Sequence, residues 1–366
     1  MEFDFNIIEC KLLKQRPDLF MDFSFLKEMD EEPVSVRDYL YVEQKSELWL
    51  YLRELAIGTA SSLGKLIKGP PQYPTWEQVM DNWRDKILAK KFDLSDSAAA
   101  GHMRWGNIHE DSAMAHFAVD NDLSVAQVGT IHLPMSFVRG LCAQYFDNSA
   151  VKTLRSFDEF GKHEHFLVSP DGVVCKEKFT NVEQDDEREL ESYGIVGMLE
   201  IKCVSPFHHV LDDDGTLRWC DDMEKRQWND PRDIPYVYVS QLCLQAIAGL
   251  WRLEMTEEDT MWFVRWSPRG FSEFKIRFKE LIQMGIVSCI LYCKLVDRMC
   301  RAQADEIINM KRFSYAQDEI PLVMLLQEAY KNVMRNMEHR YVEHHDLYEH
   351  FYDYMEKMSD CSFKKC

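Results

Sequence analysis

The segment from Phe166 to Cys203 constrains the fold of this chain more than any other. Its first run, Phe166–Val174, carries apolar and β-branched residues on either side of a Pro-Asp-Gly turn signal. Its last run, Met198–Cys203, alternates apolar and charged residues with the period of a strand. The segment therefore predicts two strands that can pair as a hairpin.

The charged residues of these two runs are placed so that they could form a reactive site. Side chains alternate between the two faces of a strand, so Glu200 and Lys202 share one face. In a hairpin, Asp171 would lie near the strand end and approach that face. Two carboxylates and an ammonium on one patch can hold a divalent cation and activate a water molecule. The opposite face would carry Leu199, Ile201 and Cys203.

Each motif taken alone also has an ordinary structural interpretation. Pro-Asp-Gly is a common turn sequence that is selected for its backbone geometry. A run such as Leu199–Cys203 is typical of a half-buried strand with a solvated charged face. The occurrence of these motifs together, in a particular order along the chain, favours the functional interpretation.

Composition defines the class of protein. The chain has 366 residues, of which 46% are hydrophobic and 12% aromatic, enough for a sizeable packed core. Its formal net charge of -19 argues against a protein coated in nucleic acid. An enzyme that holds metal among carboxylates can nevertheless be acidic and carry a local basic groove. The candidate cations for such a groove are Lys65, Lys68, Arg84, Lys86, Lys90, Lys91 and Arg104.

Other sequence features indicate the cellular compartment. The 11 cysteines form no CxxC pair, which favours reduced thiols, and Cys289, Cys293 and Cys300 are predicted to be core thiols on a helix face. The N-terminus lacks the pattern of a signal peptide, and the longest apolar run, Met284–Cys293, is too short to span a bilayer of about 30 Å. We therefore expect an intracellular protein, cytoplasmic or nuclear in a host cell, that does not associate with membranes.

Hydrophobic periodicity predicts the remaining elements. Ala98–Val119 is predicted as one long helix that carries Glu110, and Tyr236–Trp251 as an amphipathic helix with Gln241 and Gln245 one turn apart. Lys176–Tyr193 is predicted as an exposed acidic insertion. Further predictions are helices over 42–66 with a break at Gly58, over 75–91 and over 280–304, one or two helices over 321–358, and strands over 127–133, 261–266 and 271–278.

Four stretches follow one another along the chain in an order that is typical of a known enzyme family. They are Trp105–Glu110, Ser169–Gly172, Leu199–Cys203 and Tyr238–Gln241. Upstream, Leu52-Arg53 and Thr59-Ala60-Ser61 add a fifth. Together they resemble the PD-(D/E)XK nuclease superfamily, and more closely the branch of phage lambda exonuclease and the YqaJ-type viral recombinase nucleases. The resemblance covers about Trp49 to Val296. Each motif is weak alone, but five in the family's order make coincidence improbable.

The resemblance implies a fold and a domain plan. It implies a restriction-endonuclease-like α/β core with a central mixed β-sheet flanked by helices, and extra N- and C-terminal helices. We expect an N-terminal lead-in or cap over 1–40, the nuclease domain over 41–304, and a C-terminal helical extension over 305–366. The acidic stretches 176–193 and 211–233 are long loops by this comparison.

The resemblance also implies an activity, namely a Mg²⁺-dependent nuclease that degrades one strand of duplex DNA from a 5′ end. Two Mg²⁺ ions, which Mn²⁺ can replace, would be bound by Glu110, Asp171, Glu200 and the carbonyl oxygen of Ile201. The implied catalytic set is Glu110, Asp171, Glu200, Lys202 and Gln241, with Lys202 orienting or helping to deprotonate the attacking water. The residues implied to bind the 5′-phosphate are Arg53, Ser61 and Ser169. The implied partners are double-stranded DNA with 5′-phosphorylated ends, a single-strand annealing protein and further copies of the chain.

Three alternatives remain at this stage. The same metal site can serve an endonuclease or a ribonuclease. The fold can also serve a non-catalytic nucleic-acid-binding module, which has no need of two Glu, one Asp and one Lys together. A glycosidase needs only two carboxylates, which leaves Lys202 and Glu110 unexplained.

Overall fold

The computed structural model describes residues 16–22, 36–69, 74–87, 98–179, 190–204, 210–211, 217–218, 228–302 and 313–344. These residues form a mixed α/β structure around a central sheet, as the sequence predicts. Twelve strands, β1 to β12 in chain order, are distributed over three sheets within the described part of the chain.

The main sheet has seven strands and positions the chemistry. Its spatial order is β1-β3-β6-β7-β10-β11-β12. The pairs β1–β3 and β7–β10 are parallel and the others antiparallel, so the sheet is mixed. Its strands are β1 (Phe20–Asp22), β3 (Ser124–Gln127), β6 (Gly172–Cys175), β7 (Ile195–Cys203), β10 (Thr260–Ser267), β11 (Gly270–Arg277) and β12 (Glu338–Glu343). The predicted lead-in, residues 1–40, thus contributes the edge strand β1.

Ten α-helices surround the sheets in the described part of the chain. They are α1 (Glu47–Leu55), α2 (Ala60–Leu66), α3 (Trp76–Ile87), α4 (Ala98–Asn121), α5 (Met135–Gly140), α6 (Cys142–Tyr145), α7 (Asn148–Arg155), α8 (Tyr236–Arg252), α9 (Phe278–Arg301) and α10 (Ile320–Asn336). The predicted helices α4, α8 and α9 are confirmed to within a few residues at each end. The prediction over 75–91 is confirmed as far as Ile87, and the rest lies outside the described residues.

The main sheet lies between two apolar cores. The packing on its two faces determines the face of β7 on which the charged side chains lie. Leu199 and Ile201 pack with Met114 and Phe117 of α4 on one face. On the other face, the sheet packs against α8, which in turn packs on α9 and α2. The predicted alternation along β7 is therefore confirmed, because the apolar face is covered by α4 and Glu200 points the other way, towards α8.

A small second sheet lies beside the main one. Its order is β2-β5-β4, with β2 (Gly58–Thr59), β4 (Ile131–Pro134) and β5 (His165–Val168). The third sheet is the pair β8 (Val210–Leu211) and β9 (Leu217–Arg218). The second sheet leads the chain directly into Ser169, Pro170 and Asp171.

Two predicted strands are wrong because the chain changes sheets inside them. The run Phe166–Val174 divides into β5 of the small sheet and β6 of the main sheet, so the hairpin consists of β6 and β7 alone. The run 127–133 divides into β3 and β4. There Gly129 donates 2.7 Å to the carbonyl of Leu40, and a Cβ on Gly129 would lie 2.1 Å from the Val42 carbonyl oxygen. Continuous apolar alternation conceals such a crossing, since both halves are strands.

The C-terminal prediction is also corrected. The region predicted as one or two helices over 321–358 contains α10 and then the strand β12, which pairs with β11 at the sheet edge. Arg340 of β12 forms 2.8 Å bonds with both carboxylate oxygens of Glu273, which is only 1% exposed. This long-range ion pair fixes a strand that local sequence does not specify. Residues 345–366 lie outside the described part.

Two smaller predictions are partly wrong. The ends of the acidic insertion 176–193 are not exposed, because Phe179, Leu190 and Tyr193 are buried; residues 180–189 lie outside the described part. Cys289 and Cys293 are core thiols as predicted, whereas Cys300 is exposed. Across the described residues, no helix combines the length and apolarity needed to cross a lipid bilayer.

Candidate active site

A cleft of about 690 Å³ lies beside the charged face of β7. Seven of the nine residues that the sequence proposes for the site line it, and the other two are Glu110 and Ile201. The structure thus brings the proposed acidic and phosphate-binding groups together in one cavity. The lining residues are Gln44, Trp49, Arg53, Ser61, Lys65, Ser169, Asp171, Glu200, Lys202, Trp228, Pro235, Val237, Tyr238 and Gln241.

Lys202 is bonded to the oxygens around it. Its Nζ donates to the Oε1 of Glu200 and, over 2.9 Å, to the carbonyl oxygen of Ile201. The same Nζ lies 3.8 Å from the Oδ2 of Asp171. Asp171 in turn accepts a 2.6 Å hydrogen bond from the backbone N–H of Ile201. The turn before β6 and the middle of β7 are thereby locked together, which places Asp171 as the sequence predicts.

Burial and mutual repulsion determine the protonation of these groups. The Glu200 side chain has no exposed surface. Burial first, and the neighbouring Asp171 second, raise the pKa of Glu200, while Lys202 and Gln245 lower it in part. Burial by itself lowers the pKa of Lys202, but the charges of Glu200 and Asp171 outweigh it, so the pKa lies well above its ordinary value. The negative charges of Glu200 and Asp171 thus stabilise the ammonium form of Lys202 in this arrangement.

Glu110 lies next to this group but does not line the cleft. It is on the predicted helix α4, and a Cβ added to Gly106 one turn earlier would meet open space. Burial, followed by the charge of Asp171, raises the pKa of Glu110 to about 8. The Nζ of Lys45 lies 3.9 Å from the Oε2 of Glu110.

The donor set fits a hard divalent cation. Carboxylate and carbonyl oxygens are the ligands that Mg²⁺ and Mn²⁺ prefer. The Lys202 ammonium already makes contact with oxygens of Glu200, Asp171 and Ile201, so these three oxygens converge on one positive charge. Within the described residues, no three acidic, His or Cys side chains stand in ready metal-binding geometry. For a metal to bind these oxygens, the Lys202 ammonium would have to withdraw from them while remaining in the cleft.

Another part of the cleft lining is a cationic and hydroxylated wall. Arg53 of α1 stacks its guanidinium 4.2 Å from the ring centroid of Trp49. Ser61 and Lys65 lie one turn apart on α2, and the Ser61 hydroxyl lies 3.2 Å from that of Thr59. Arg53 and Ser61 both line the cleft. Of the candidate groove cations whose side chains the structure describes, Lys65 is the one that lines the cleft.

The Ser169 hydroxyl takes part in a hydrogen-bond network that is separate from the Lys202 group. It accepts the indole N–H of Trp49 at 3.1 Å and donates to the hydroxyl of Thr130 at 3.0 Å. The next residue, Pro170, accepts a 3.0 Å bond from the Gln44 amide, which also donates to the carbonyls at 128 and 129. These bonds fasten the turn that presents Asp171.

Sequence reasoning missed several of these residues. Gln245 donates a 2.6 Å bond to the Oε2 of Glu200, whereas Gln241, the proposed member, lines the cleft. The spacing of the two glutamines was a visible signal, because residues four apart share a helix face. Lys65 carried a similar signal, four residues after Ser61. Gln44 and Trp228 lie outside any recognisable motif, so sequence alone offered no signal for them.

The chain matches a model of a known protein family. The family model described as "YqaJ-like viral recombinase domain" matches residues 48–249, more than half of the chain. That range contains Arg53, Glu110 and Gln241, and so spans all nine proposed site residues. No curated protein matches the chain significantly.

Proposed function

This chain belongs to the YqaJ-like viral recombinase family, and we propose that it is a Mg²⁺-dependent 5′–3′ exonuclease acting on double-stranded DNA. Family membership supports a recombination-related nuclease in general. The metal, the polarity and the substrate are our proposal.

One observation carries the proposal. Glu200, Asp171 and the carbonyl of Ile201 surround a single cation, the Lys202 ammonium, at the floor of an open cleft. A buried charged group is costly unless a function or a partner compensates it. A purely structural strand would have no need of Glu200 and Lys202 on its buried face.

Each residue of the site would have a distinct role in the reaction. Glu110, Asp171, Glu200 and the Ile201 carbonyl would hold Mg²⁺, or Mn²⁺ in its place, with two ions as the expected number. When bound, the metal would polarise the scissile phosphate and lower the pKa of the attacking water. Lys202 would orient that water and offset negative charge at phosphorus as an ammonium donor. Gln241 would hold the water or a neighbouring phosphate.

Action from a 5′ end is proposed from the phosphate-binding groups of the cleft. Arg53, Ser61 and Ser169 line the same cleft as Asp171 and Glu200. Arginine binds phosphate through charge-assisted, bidentate hydrogen bonds. A terminal phosphate held there would present the first phosphodiester to the carboxylates. Ser169 would have to rotate its hydroxyl away from Thr130 to donate to a phosphate oxygen.

Two further elements of the proposal rest on family analogy. A single-strand annealing protein would receive the strand that resection exposes, and assembly into a homo-oligomer would keep the enzyme on its substrate. An endonuclease or ribonuclease acting through the same site is the alternative activity, because the metal-binding groups do not distinguish among these substrates.

The proposal is tested by product analysis. A linear duplex with a 5′-phosphate on one strand and a label at each end of that strand is incubated with Mg²⁺ or with a chelator. We expect metal-dependent loss of the 5′ label first, while the complementary strand remains intact. Glu200→Gln should abolish this loss. Loss of the 3′ label first would contradict the polarity, and cleavage that persists in the chelator would contradict the metal requirement.

A further inference from the structure

A cluster of three aromatic rings borders the cleft. Trp228 and Tyr238 line the cavity, and Phe263 is buried behind them. The rings of Trp228 and Phe263 lie 15° from parallel with centroids 5.9 Å apart. The rings of Tyr238 and Phe263 lie 27° from parallel with centroids 5.7 Å apart. The three rings therefore form one stacked group, and two of its members reach the cavity.

Strand β10 holds the indole of Trp228 in place. Phe263 and Arg265 are two residues apart on β10, so their side chains project from the same face of the sheet. The guanidinium of Arg265, a residue that is only 6% exposed, lies 4.9 Å from the centroid of the Trp228 ring. Trp228 itself is only half-buried and lines the cleft, so part of its ring surface is open to the cavity.

This aromatic cluster adjoins the proposed metal-binding group. The register of the parallel strands β7 and β10 pairs Phe263 with Glu200. It also pairs Arg265 with Lys202. The Nζ of Lys202 lies 5.6 Å from the centroid of the Tyr238 ring. A nucleotide whose phosphate lies beside Glu200 and Lys202 therefore has flat apolar surfaces within reach of its base.

Digestion of one strand of a duplex creates a need for such a surface. The end nucleotide has to leave the base stack before its phosphate can enter a cleft, and unstacking costs free energy. An aromatic side chain offsets that cost, because every base has a π-face that can stack on it. A large apolar ring in a cleft that is otherwise rich in charged and polar groups suits the apolar part of such a ligand.

We propose that Trp228, with Tyr238 beside it, forms a platform on which an unpaired nucleobase stacks while its phosphate lies at the carboxylates. The inference rests on the proposed function and specifies the form of the substrate, an end nucleotide that has left the duplex stack. Trp228 belongs to the stretch 211–233, which lies between the motifs of the site. Because recognition is by stacking, the platform accepts all four bases.

The test measures binding without cleavage. Short fluorescent duplexes, closed at one end by a hairpin loop, carry a single unpaired 5′-phosphorylated nucleotide at the other end. That nucleotide bears thymine, the nonpolar isostere difluorotoluene, or no base, and each duplex is titrated with the full chain in a chelator. The isostere keeps the flat ring and removes the hydrogen-bonding groups. We expect thymine and the isostere to bind equally, and each about tenfold more tightly than the abasic end.

Variants assign this preference to one side chain. Trp228→Leu should abolish the preference over the abasic end, whereas Trp228→Phe should retain about threefold because a flat ring remains. Trp251→Leu is the matched control, since Trp251 is 43% exposed, packs against Phe137 and does not belong to the cleft lining. It should keep the full preference. Thermal unfolding checks that each variant folds.

The outcomes separate this inference from the proposed function. A preference for the base-bearing ends in a chain that cleaves nothing supports the platform and contradicts the nuclease. Metal-dependent cleavage with equal affinity for the three ends supports the nuclease and overturns the platform. Binding of the isostere as weak as that of the abasic end overturns stacking as the mode of recognition.

Two further results would overturn the assignment to Trp228. One is an undiminished preference in Trp228→Leu. The other is a folded Trp228→Phe that loses the preference completely, because stacking requires only a flat ring.

Discussion

Gln245 donates a 2.6 Å hydrogen bond to the Oε2 of Glu200, and neither residue has exposed surface. The other amide atom of Gln245, its Oε1, has no hydrogen-bond partner within the described residues. A buried amide that is half satisfied costs free energy. The arrangement is explained if the amide is there to hold Glu200 in position.

Replacing Gln245 should therefore act through Glu200. Gln245→Leu removes a hydrogen bond that favours the ionised carboxylate, so the pKa of Glu200 should rise further. We expect the acidic limb of the pH profile of kcat/KM to move to higher pH, and the free energy of unfolding to fall by about 1–3 kcal/mol. Ser240→Ala is the control on the same buried helix, since that hydroxyl bonds to Val237 and not to Glu200. An unchanged pH profile with normal folding would refute a positioning role.

Lys202→Ala should abolish cleavage and leave the fold intact. Its removal deprives Glu200 and Asp171 of their counter-charge, so the variant should be less stable than the wild type in a chelator. Mg²⁺ should then raise the Tm of Lys202→Ala more than that of the wild type, because the metal replaces the lost cation. Tm measurements with and without Mg²⁺ test this expectation. Cleavage at the wild-type rate, or equal Tm gains in both proteins, would contradict the assignment.

Glu110 should make stability depend on pH in the absence of metal. Burial and Asp171 raise its pKa from 4.5 to about 8 in the folded chain. Between those two values the folded state binds more protons than the unfolded state, so this contribution to stability falls as pH rises and levels off above about 8. The difference in free energy of unfolding between wild type and Glu110→Gln, measured by urea in chelator, should follow that curve. A difference that stays flat from pH 5 to pH 9 would count against the raised pKa.

Ser61→Ala should change the choice of DNA ends more than the chemistry. Ser61 lines the cleft from α2, whereas the carboxylates of the proposed metal site lie on other elements of the fold. We expect the ratio of kcat/KM for 5′-phosphate and 5′-hydroxyl duplexes to fall, with kcat on the phosphorylated duplex changed little. Ser62→Ala is the neighbouring control, because Ser62 exchanges hydrogen bonds with the backbone of Thr59. An unaltered ratio in Ser61→Ala would remove the residue from the phosphate site.

The site was predictable where local rules determine geometry. Strand alternation placed Glu200 and Lys202 on one face, and the turn before β6 placed Asp171 beside them. Helical periodicity placed Glu110 on α4 and Gln241 on α8. Each of these depends on spacing within one element or on one tight turn, which is what a single sequence specifies.

The parts of the fold and of the site that could not be predicted depend on contacts between segments that are distant in sequence. The chain changes sheets near Gly129, whose backbone pairs with Leu40, and β12 pairs with β11 where Arg340 meets Glu273 across the sheet edge. The cationic wall likewise needs α1 and α2 to pack so that Arg53 and Lys65 face one cavity. No local pattern encodes these tertiary contacts.

The central claim is metal-dependent digestion of duplex DNA from its ends, and one comparison of substrates tests it most directly. Linear duplex with 5′-phosphates, closed circular duplex and single-stranded RNA are each incubated with Mg²⁺ or with a chelator, with Lys202→Ala as the inactive control. We expect loss of the linear duplex alone, only with Mg²⁺, and not with Lys202→Ala. Nicking of the circle would identify the activity as that of an endonuclease, and digestion of RNA as that of a ribonuclease. Absence of cleavage of all three substrates would contradict nuclease activity altogether.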